Sequence, residues 1–246
     1  MQLCACGRRH PGRSGRRAFL GAAAGLGCAA AAVASLPAAR AADPTAARTS
    51  LTPDQALQLL KQGNDNYRTD APFRGAQGRE RRVELARGQA PFCVLVGCSD
   101  SRVPPELLFG RGLGELFIVR NAGNTVDTAA LGSIEYGVGV LGCPLIVVLG
   151  HEGCGAVAAA VDVVEKNATF PGVIGEMVQP IIPAVLEARR TSGGTLLENS
   201  VLANAKRVAN RLGTQSPVLQ GAMRAGKLKI VSARYDLDDG DVNFFD

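Results

Sequence analysis

After residue 50, hydrophobic positions alternate between short continuous runs and longer amphipathic stretches. The short runs have the length and aliphatic content of buried strands; they are residues 92–96, 116–119, 145–149 and 229–234. The amphipathic stretches are typical of helices; they are residues 105–109, 128–141, 155–165, 176–188, 199–212 and 217–225. Strands that alternate with helices predict an α/β domain with a parallel sheet and helices on its faces.

The two ends of this pattern carry clear signals. Thr52 and Pro53 begin a helix, with Gln55 placed to complete a capping box. Near the end, an Asp-Gly turn at 238–240 returns the chain into a short strand at 242–245. We therefore predict a four-stranded parallel sheet flanked by helices, with one antiparallel edge strand.

Residues 1–42 differ from the rest of the chain. Arg16 and Arg17 precede an Ala/Gly-rich apolar segment at 18–34, and residues 39–41 fit a small-x-small cleavage site. We interpret 1–42 as a twin-arginine signal peptide that is removed, and 43–246 as a single domain. The alternatives are a disordered Arg/Ala-rich start or a lipid anchor on Cys28, which the residue at position 25 disfavours.

The charge is concentrated in this leader. Six of the 27 basic residues and none of the 22 acidic residues lie in 1–42, so the remaining domain is close to neutral. This distribution predicts no nucleic-acid partner. We expect the twin-arginine export machinery to be a partner of the precursor, a periplasmic or otherwise exported location, and no stable membrane span. Twin-arginine export follows folding, so cysteine thiolates could bind a metal in the reducing cytosol before they reach an oxidising compartment.

Two candidate loops each follow an apolar run. Cys98 follows the run at 92–96, and His151 and Cys154 follow the run at 145–149. Because ligands of open α/β sheets bind at the carboxyl ends of strands, we expect these three side chains to converge. Two thiolates and one imidazole, with a fourth position open, are typical of a catalytic zinc site. The alternative is a buried structural histidine beside two core thiols.

Asp100 and Arg102 lie next to the first candidate ligand. Asp100 can occupy the fourth zinc position and close the site. It can instead be held back by Arg102 in a bidentate pair and accept a hydrogen bond from the zinc-bound water. The simpler readings are a helix cap for Asp100 and an ordinary surface pair for Arg102.

Four motifs occur in order along the chain. They are Cys98-Ser99-Asp100-Ser101-Arg102-Val103, Arg120-Asn121, Glu135-Tyr136 and Gly150-His151-x-x-Cys154-Gly155. Over residues 52–246 the chain resembles the β-class carbonic anhydrases. The resemblance implies one zinc ion per subunit on Cys98, His151 and Cys154. It also implies an obligate homodimer, with tetramers left open, and an active site near the interface.

The implied reaction is the reversible hydration of CO2 to bicarbonate and a proton, by attack of zinc-bound hydroxide on CO2. Asp100 is then the fourth ligand or the partner of the zinc-bound water, with Arg102 as its counter-ion. Gln89 matches the substrate-orienting glutamine of the family. Phe117 and Tyr136 match the apolar CO2 pocket, and Gly155 belongs to the same pocket.

One departure from the family narrows these expectations. Some bicarbonate-regulated members carry Trp three residues before the first ligand, where this chain has Leu95. The resemblance therefore does not imply an allosteric bicarbonate pocket of that type. Because two thiolates cancel the formal charge of zinc, we expect activity that rises into alkaline pH. Two other functions remain open, hydrolysis of carbon disulfide or carbonyl sulfide at the same site and a non-catalytic zinc-binding or redox role.

Cys93 and Cys143 begin two strands that we expect to be neighbours. If Gly97 and Gly150 lie level, the two cysteines are offset by roughly 10 Å, which exceeds disulfide reach. We therefore predict buried free thiols rather than a disulfide.

Overall fold

A five-stranded sheet forms the centre of the computed structural model, which describes residues 48–245. Its strands are β1 (Cys93–Gly97), β2 (Leu116–Arg120), β3 (Leu145–His151), β4 (Lys229–Tyr235) and β5 (Val242–Phe245). Their spatial order is β2-β1-β3-β4-β5. The first four strands are parallel and β5 pairs antiparallel with β4. The predicted fold class is confirmed.

Nine α-helices connect the strands within the described residues. They are α1 (Pro53–Arg68), α2 (Arg79–Leu85), α3 (Pro105–Leu108), α4 (Thr128–Gly139), α5 (Gly155–Lys166), α6 (Ile174–Val178), α7 (Ile182–Ala188), α8 (Leu196–Gln215) and α9 (Pro217–Arg224). The capping box predicted for α1 is present, since the side chains of Thr52 and Gln55 each bond to the other residue's backbone N–H. This reciprocal pair satisfies two of the N–H groups that a helix start leaves without partners.

Residues 174–188 form three short helical segments rather than one helix, and Pro180 and Pro183 lie where the segments change. Pro180 lies in a 3-10 turn at Gln179–Ile181, and Pro183 lies in the first turn of α7. Proline lacks the N–H that a helix interior needs, so the chain places each proline near the start of a new helical segment. Helix α6 begins at Ile174, two residues before the start of the helix predicted at 176–188.

Both faces of the sheet are covered. One apolar cluster joins β1, β3 and β4 to α1 and α3, and a second joins the opposite face to α4, α8 and α9. Every residue of β1 and β3 is buried as a result. Such continuous apolar runs are typical of parallel strands that are covered on both faces.

The register differs from the one assumed from the loop glycines. Val96 lies level with Val148, which places Gly97 beside Leu149 rather than Gly150. Strand β3 also continues through His151, which lies level with Tyr235 of β4. The histidine is therefore the last residue of a central strand, not a residue of the loop that follows it.

Cys93 and Cys143 are buried free thiols, as predicted. They belong to the two different apolar clusters, on opposite faces of the sheet. The Cys143 thiol donates to the Pro91 carbonyl at 3.2 Å. Burial raises the pKa of both thiols, that of Cys143 to about 12. The separation by the sheet, more than the offset along it, keeps the two sulfurs apart.

The leader at 1–42 lies outside the described residues. In the part of the chain that the structure describes, no helix is both long enough and apolar enough to cross a membrane.

Candidate metal centre

Three side chains converge where β1 and β3 end. Cys98 follows β1 directly, His151 ends β3, and Cys154 caps the start of α5. Their ligand atoms lie within 4.8 Å of one another, and all three residues are buried. The two sulfurs are 4.0 Å apart and are not bonded to each other. The convergence expected from the two loops is present.

The histidine ring is oriented by its own backbone neighbour. His151 Nδ1 lies 2.8 Å from the Glu152 carbonyl oxygen. A carbonyl can only accept, so Nδ1 carries the proton, and in the neutral ring Nε2 carries the lone pair. Nε2 is buried and has no hydrogen-bond partner among the described residues. A buried lone pair without a partner is costly unless something binds it.

These donors fit a zinc ion. Zinc–sulfur bonds of about 2.3 Å in a tetrahedron place two sulfurs about 3.8 Å apart, close to the 4.0 Å between the Cys98 and Cys154 sulfurs. Two soft sulfurs and an imidazole are the ligand types that zinc prefers. The Nδ1 hydrogen bond to a backbone carbonyl is also what metal-binding histidines usually make.

The two thiols share their charge unequally. A hydrogen bond from the Cys154 thiol lowers the pKa of Cys98, and the Gly123 N–H lowers it further, while burial opposes both. The same interaction with Cys98 raises the pKa of Cys154, because a second thiolate beside the first is repelled. A metal ion would remove that repulsion, since it binds both sulfurs as thiolates.

Asp100 is held by Arg102 at the edge of this cluster. Arg102 donates from Nε to Oδ1 at 3.0 Å, from an Nη to Oδ2 at 2.8 Å, and from its backbone N–H to Oδ1 at 2.9 Å. These hydrogen bonds hold the pKa of the Asp100 carboxyl well below its usual range. Oδ2 lies 3.9 Å from His151 Nε2. The bidentate pair with Arg102 that belongs to the second expected arrangement is present in the described conformation, and whether Asp100 binds the metal stays open.

Two further groups fix the loop that carries Cys98. Arg120 donates to the carbonyl oxygens of Cys98 and Asp100 at 2.7 and 2.5 Å. The Gly123 N–H donates to the Cys98 sulfur at 3.3 Å. From the sequence alone, neither Arg120 nor Gly123 has a predicted role, although Arg120-Asn121 is one of the four motifs. The available signal was the position of this motif, at the carboxyl end of β2 beside the Cys98 loop.

The single chain does not bring the other expected pocket residues to the cluster. Gln89 is exposed on the segment before β1, whereas Cys98 follows that strand, which spans roughly 16 Å. Phe117 lies level with Val94, four positions before Cys98, and contacts Tyr136 with ring centroids 6.3 Å apart. Gly155 alone adjoins the cluster, as the exposed first residue of α5. That these residues line the substrate pocket stays a prediction.

Known proteins match both the sequence and the fold. The family profile of carbonic anhydrase matches residues 93–242. Carbonic anhydrase 2 of Mycobacterium tuberculosis is 40% identical over 188 residues, which cover 76% of this chain and 90% of that protein. The chain belongs to the β-class carbonic anhydrases. It is accordingly an enzyme of the lyase class.

Solved β-class structures are similar in fold. One of two tetrameric β-carbonic anhydrases from the ascomycete Sordaria macrospora has a TM-score of 0.60 at 26% identity, over 67% of this chain and 85% of that one. The Coccomyxa β-carbonic anhydrase, solved in complex with acetazolamide, has a TM-score of 0.58 at 30% identity, over 65% and 74% of the two chains.

Gly123 generates a stability prediction. Its φ is +65°, and a Cβ there would lie 2.7 Å from Ile181 Cδ1 and 3.0 Å from Ala156 Cβ. Gly123→Ala combines backbone strain with overpacking, so we expect the free energy of unfolding to fall by about 2–4 kcal/mol in urea titrations.

The matched control is Gly221→Ala in α9, where an added Cβ meets nothing within 4 Å. Alanine is the better helix former, so this change should leave stability unchanged or raise it by up to about 1 kcal/mol. Equal effects of the two substitutions would contradict the tight packing assigned to Gly123.

Proposed function

We propose that this enzyme catalyses the reversible hydration of CO2 to bicarbonate and a proton, with one zinc ion per subunit on Cys98, His151 and Cys154. The observation that carries the proposal is the convergence of two thiols and an unpartnered imidazole nitrogen beside an ionised carboxylate. A ligand set of three leaves a fourth position for the reacting water, which distinguishes a catalytic zinc site from a structural one.

Bound zinc would supply an acidified water and a Lewis acid for the attack on carbon. The chain's own contribution is the orientation of that water. Asp100, kept ionised by Arg102, has lone pairs free to accept the water's hydrogen bond, which aims an oxygen lone pair at CO2. Arg102 also holds Asp100 away from the fourth position, because it bonds both carboxylate oxygens.

The charge of the ligands sets the expected pH dependence. Two thiolates cancel the formal charge of zinc, so the pKa of the zinc-bound water should lie above the value near 7 that neutral ligands give. Turnover should therefore rise as pH increases above neutral. Asp100 does not limit this range, since its depressed pKa keeps it ionised throughout.

Asp100→Asn tests the assignment of the carboxylate. The amide keeps the shape of the side chain but loses an acceptor oxygen, so zinc should stay bound while turnover falls about 100-fold or more. Metal analysis together with stopped-flow CO2 hydration across neutral and alkaline pH measures both quantities.

Asp127→Asn is the matched control. Asp127 caps α4 through a 2.8 Å hydrogen bond from the Ala130 N–H, a role that asparagine fills equally well. This variant should keep full turnover. If Asp100→Asn also kept full turnover, Asp100 would be only a local structural residue.

The pH dependence has its own test. A wild-type turnover that is already independent of pH well below neutral would contradict the weak acidity expected from two thiolate ligands.

The apolar wall of the substrate pocket points to a dimer. Strand β2 is an edge of the sheet within the described chain, and its five residues are only half-buried. Tyr136 is 49% exposed beside Phe117 on the same edge. Uncovered edge strands with apolar neighbours are usually protected by pairing. We propose that a second copy covers this edge and that the substrate pocket is completed between the two subunits.

Tyr136→Glu should separate the subunits. A carboxylate buried in the proposed interface would have no counter-ion, so sedimentation should show monomers. Those monomers should keep zinc, because one chain supplies all three ligands, and should lose CO2 hydration.

Val173→Glu is the control, since Val173 is 73% exposed and lies outside this edge. It should leave both the assembly and turnover unchanged. Active Tyr136→Glu monomers would contradict a pocket shared between subunits.

We also propose that the enzyme is exported through the twin-arginine route and acts outside the cytoplasm. Its support is the order of charged region, apolar region and small-residue cleavage site in residues 1–42. The near-neutral charge of the remaining domain makes the arginine-rich leader distinct from it.

Replacement of Arg16 and Arg17 by lysine should retain the enzyme in the cytoplasm, because the paired guanidinium groups are the export signal. The same change at Arg8 and Arg9 is the control and should leave export intact. Cell fractionation followed by immunoblotting measures how the enzyme is distributed between the cytoplasm and the exported fraction. Equal export of both variants would contradict the assignment of Arg16 and Arg17 as the export signal.

A further inference from the structure

A buried amide on α8 points at the loop that contacts the metal cluster. Asn204 is 2% exposed, and its Nδ2 donates to the Gly123 carbonyl oxygen at 2.9 Å. Burying an amide is unfavourable unless it is hydrogen-bonded. The position of the Gly123 carbonyl is therefore specified by this bond.

The same glycine contacts a candidate zinc ligand from its other side. The Gly123 N–H donates to the Cys98 sulfur at 3.3 Å. The N–H and the carbonyl of one residue belong to adjoining peptide planes, which the φ and ψ of that residue relate. A bond that fixes the carbonyl of Gly123, at a φ of +65°, therefore restrains the direction of its N–H.

Asn204 is itself held on a firm base. A Cβ at Gly150, the residue of β3 directly before His151, would lie 3.1 Å from Val201 Cγ1. This close approach sets α8 directly against the strand that ends in the histidine. The series of contacts from Asn204 through Gly123 to Cys98 thus joins α8 to the turn that carries Gly123, and both of these elements pack against β3.

We propose that Asn204 is a positioning residue for the metal centre: it holds the Gly123 peptide so that its N–H stays on the Cys98 sulfur and draws negative charge from that ligand. The inference rests on the zinc site proposed above. A hydrogen bond to a thiolate reduces the charge that the sulfur donates to a metal, and such outer contacts tune metal sites. In a site with two thiolates, Asn204 thereby offsets part of the excess negative charge.

Cobalt substitution measures the charge on the sulfurs directly. Co²⁺ bound by thiolates gives sulfur-to-metal charge-transfer bands, and their energy falls when the sulfur becomes more electron-rich. Asn204→Leu removes the donor at similar volume. We expect the bands of the Co²⁺ enzyme to move to longer wavelength and zinc to be retained about 10-fold less tightly against a chelator.

Asn64→Leu is the matched control. Asn64 is another buried helix amide whose Nδ2 donates to a glycine carbonyl, that of Gly240, at 2.9 Å. Asn64 Nδ2 also donates to the Leu108 carbonyl, and its Oδ1 accepts from the Val242 N–H, so its loss should lower the midpoint of urea unfolding at least as much and leave the bands in place. Unchanged bands in Asn204→Leu, or the same shift in both variants, would show that Asn204 is merely structural and would overturn the inference.

A measurement on the wild-type enzyme guards against a variant that does not fold. In the ¹¹³Cd-substituted protein with ¹⁵N-labelled glycine, a hydrogen bond to Cys98 transmits a scalar coupling from cadmium to the Gly123 amide proton. We expect this coupling in the wild type and its loss in Asn204→Leu, which has no donor for the Gly123 carbonyl. Absence of the coupling in a cadmium-loaded wild type would overturn the inference alone, whereas failure to bind any metal would overturn the proposed zinc site as well.

Discussion

The candidate metal centre depends on the parallel pairing of β1 with β3. Val96 and Val148 lie level, so Cys98 and His151 leave the sheet at the same edge. A slip of one residue would turn every side chain of a strand to the opposite face. The apolar clusters on both faces prevent that slip, because each strand position fits one cluster or the other. The core of the fold therefore determines whether the three ligands can meet.

Negative charge concentrated in a buried place is the second constraint. The Cys98 and Cys154 sulfurs lie 4.0 Å apart, and the Asp100 carboxylate lies 3.9 Å from the His151 Nε2 beside them. Burial disfavours the charged forms of the two thiols and the carboxylate. Arg102 compensates the carboxylate, while the Gly123 N–H and the start of α5 face the sulfurs. Arg120 holds the loop between them through two backbone carbonyls. The site combines anionic candidate ligands with fixed hydrogen-bond donors, and in the proposed zinc enzyme that balance would set how acidic a bound water becomes.

The three candidate ligands and the aromatic residues expected to line the pocket lie in different parts of the fold. One chain contains all three candidate ligands, at the carboxyl ends of the central strands β1 and β3. Phe117 and Tyr136 lie at the outer strand β2, beside unprotected backbone. A dimer that covers this strand would bury the exposed Tyr136 ring and bring apolar surface toward the candidate metal centre. The same interface would then both protect the edge strand and complete the pocket.

By itself, the sequence determined the order and type of the central elements and predicted which three side chains would converge as candidate metal ligands. Continuous apolar runs define strands buried on both faces, and the only histidine after the leader stands three positions from a cysteine, so few alternatives remained. It could not determine the register of β1 against β3, or that His151 belongs to the strand, because glycines at strand ends do not specify pairing. Only the tertiary structure decided that Cys93 and Cys143 lie on opposite faces, that Asp100 is paired with Arg102, and that Arg120, Gly123 and Asn204 support Cys98. The contacts of Arg120, Gly123 and Asn204 join residues 20 to 81 positions apart, and side-chain direction across such separations is set by packing rather than by local pattern.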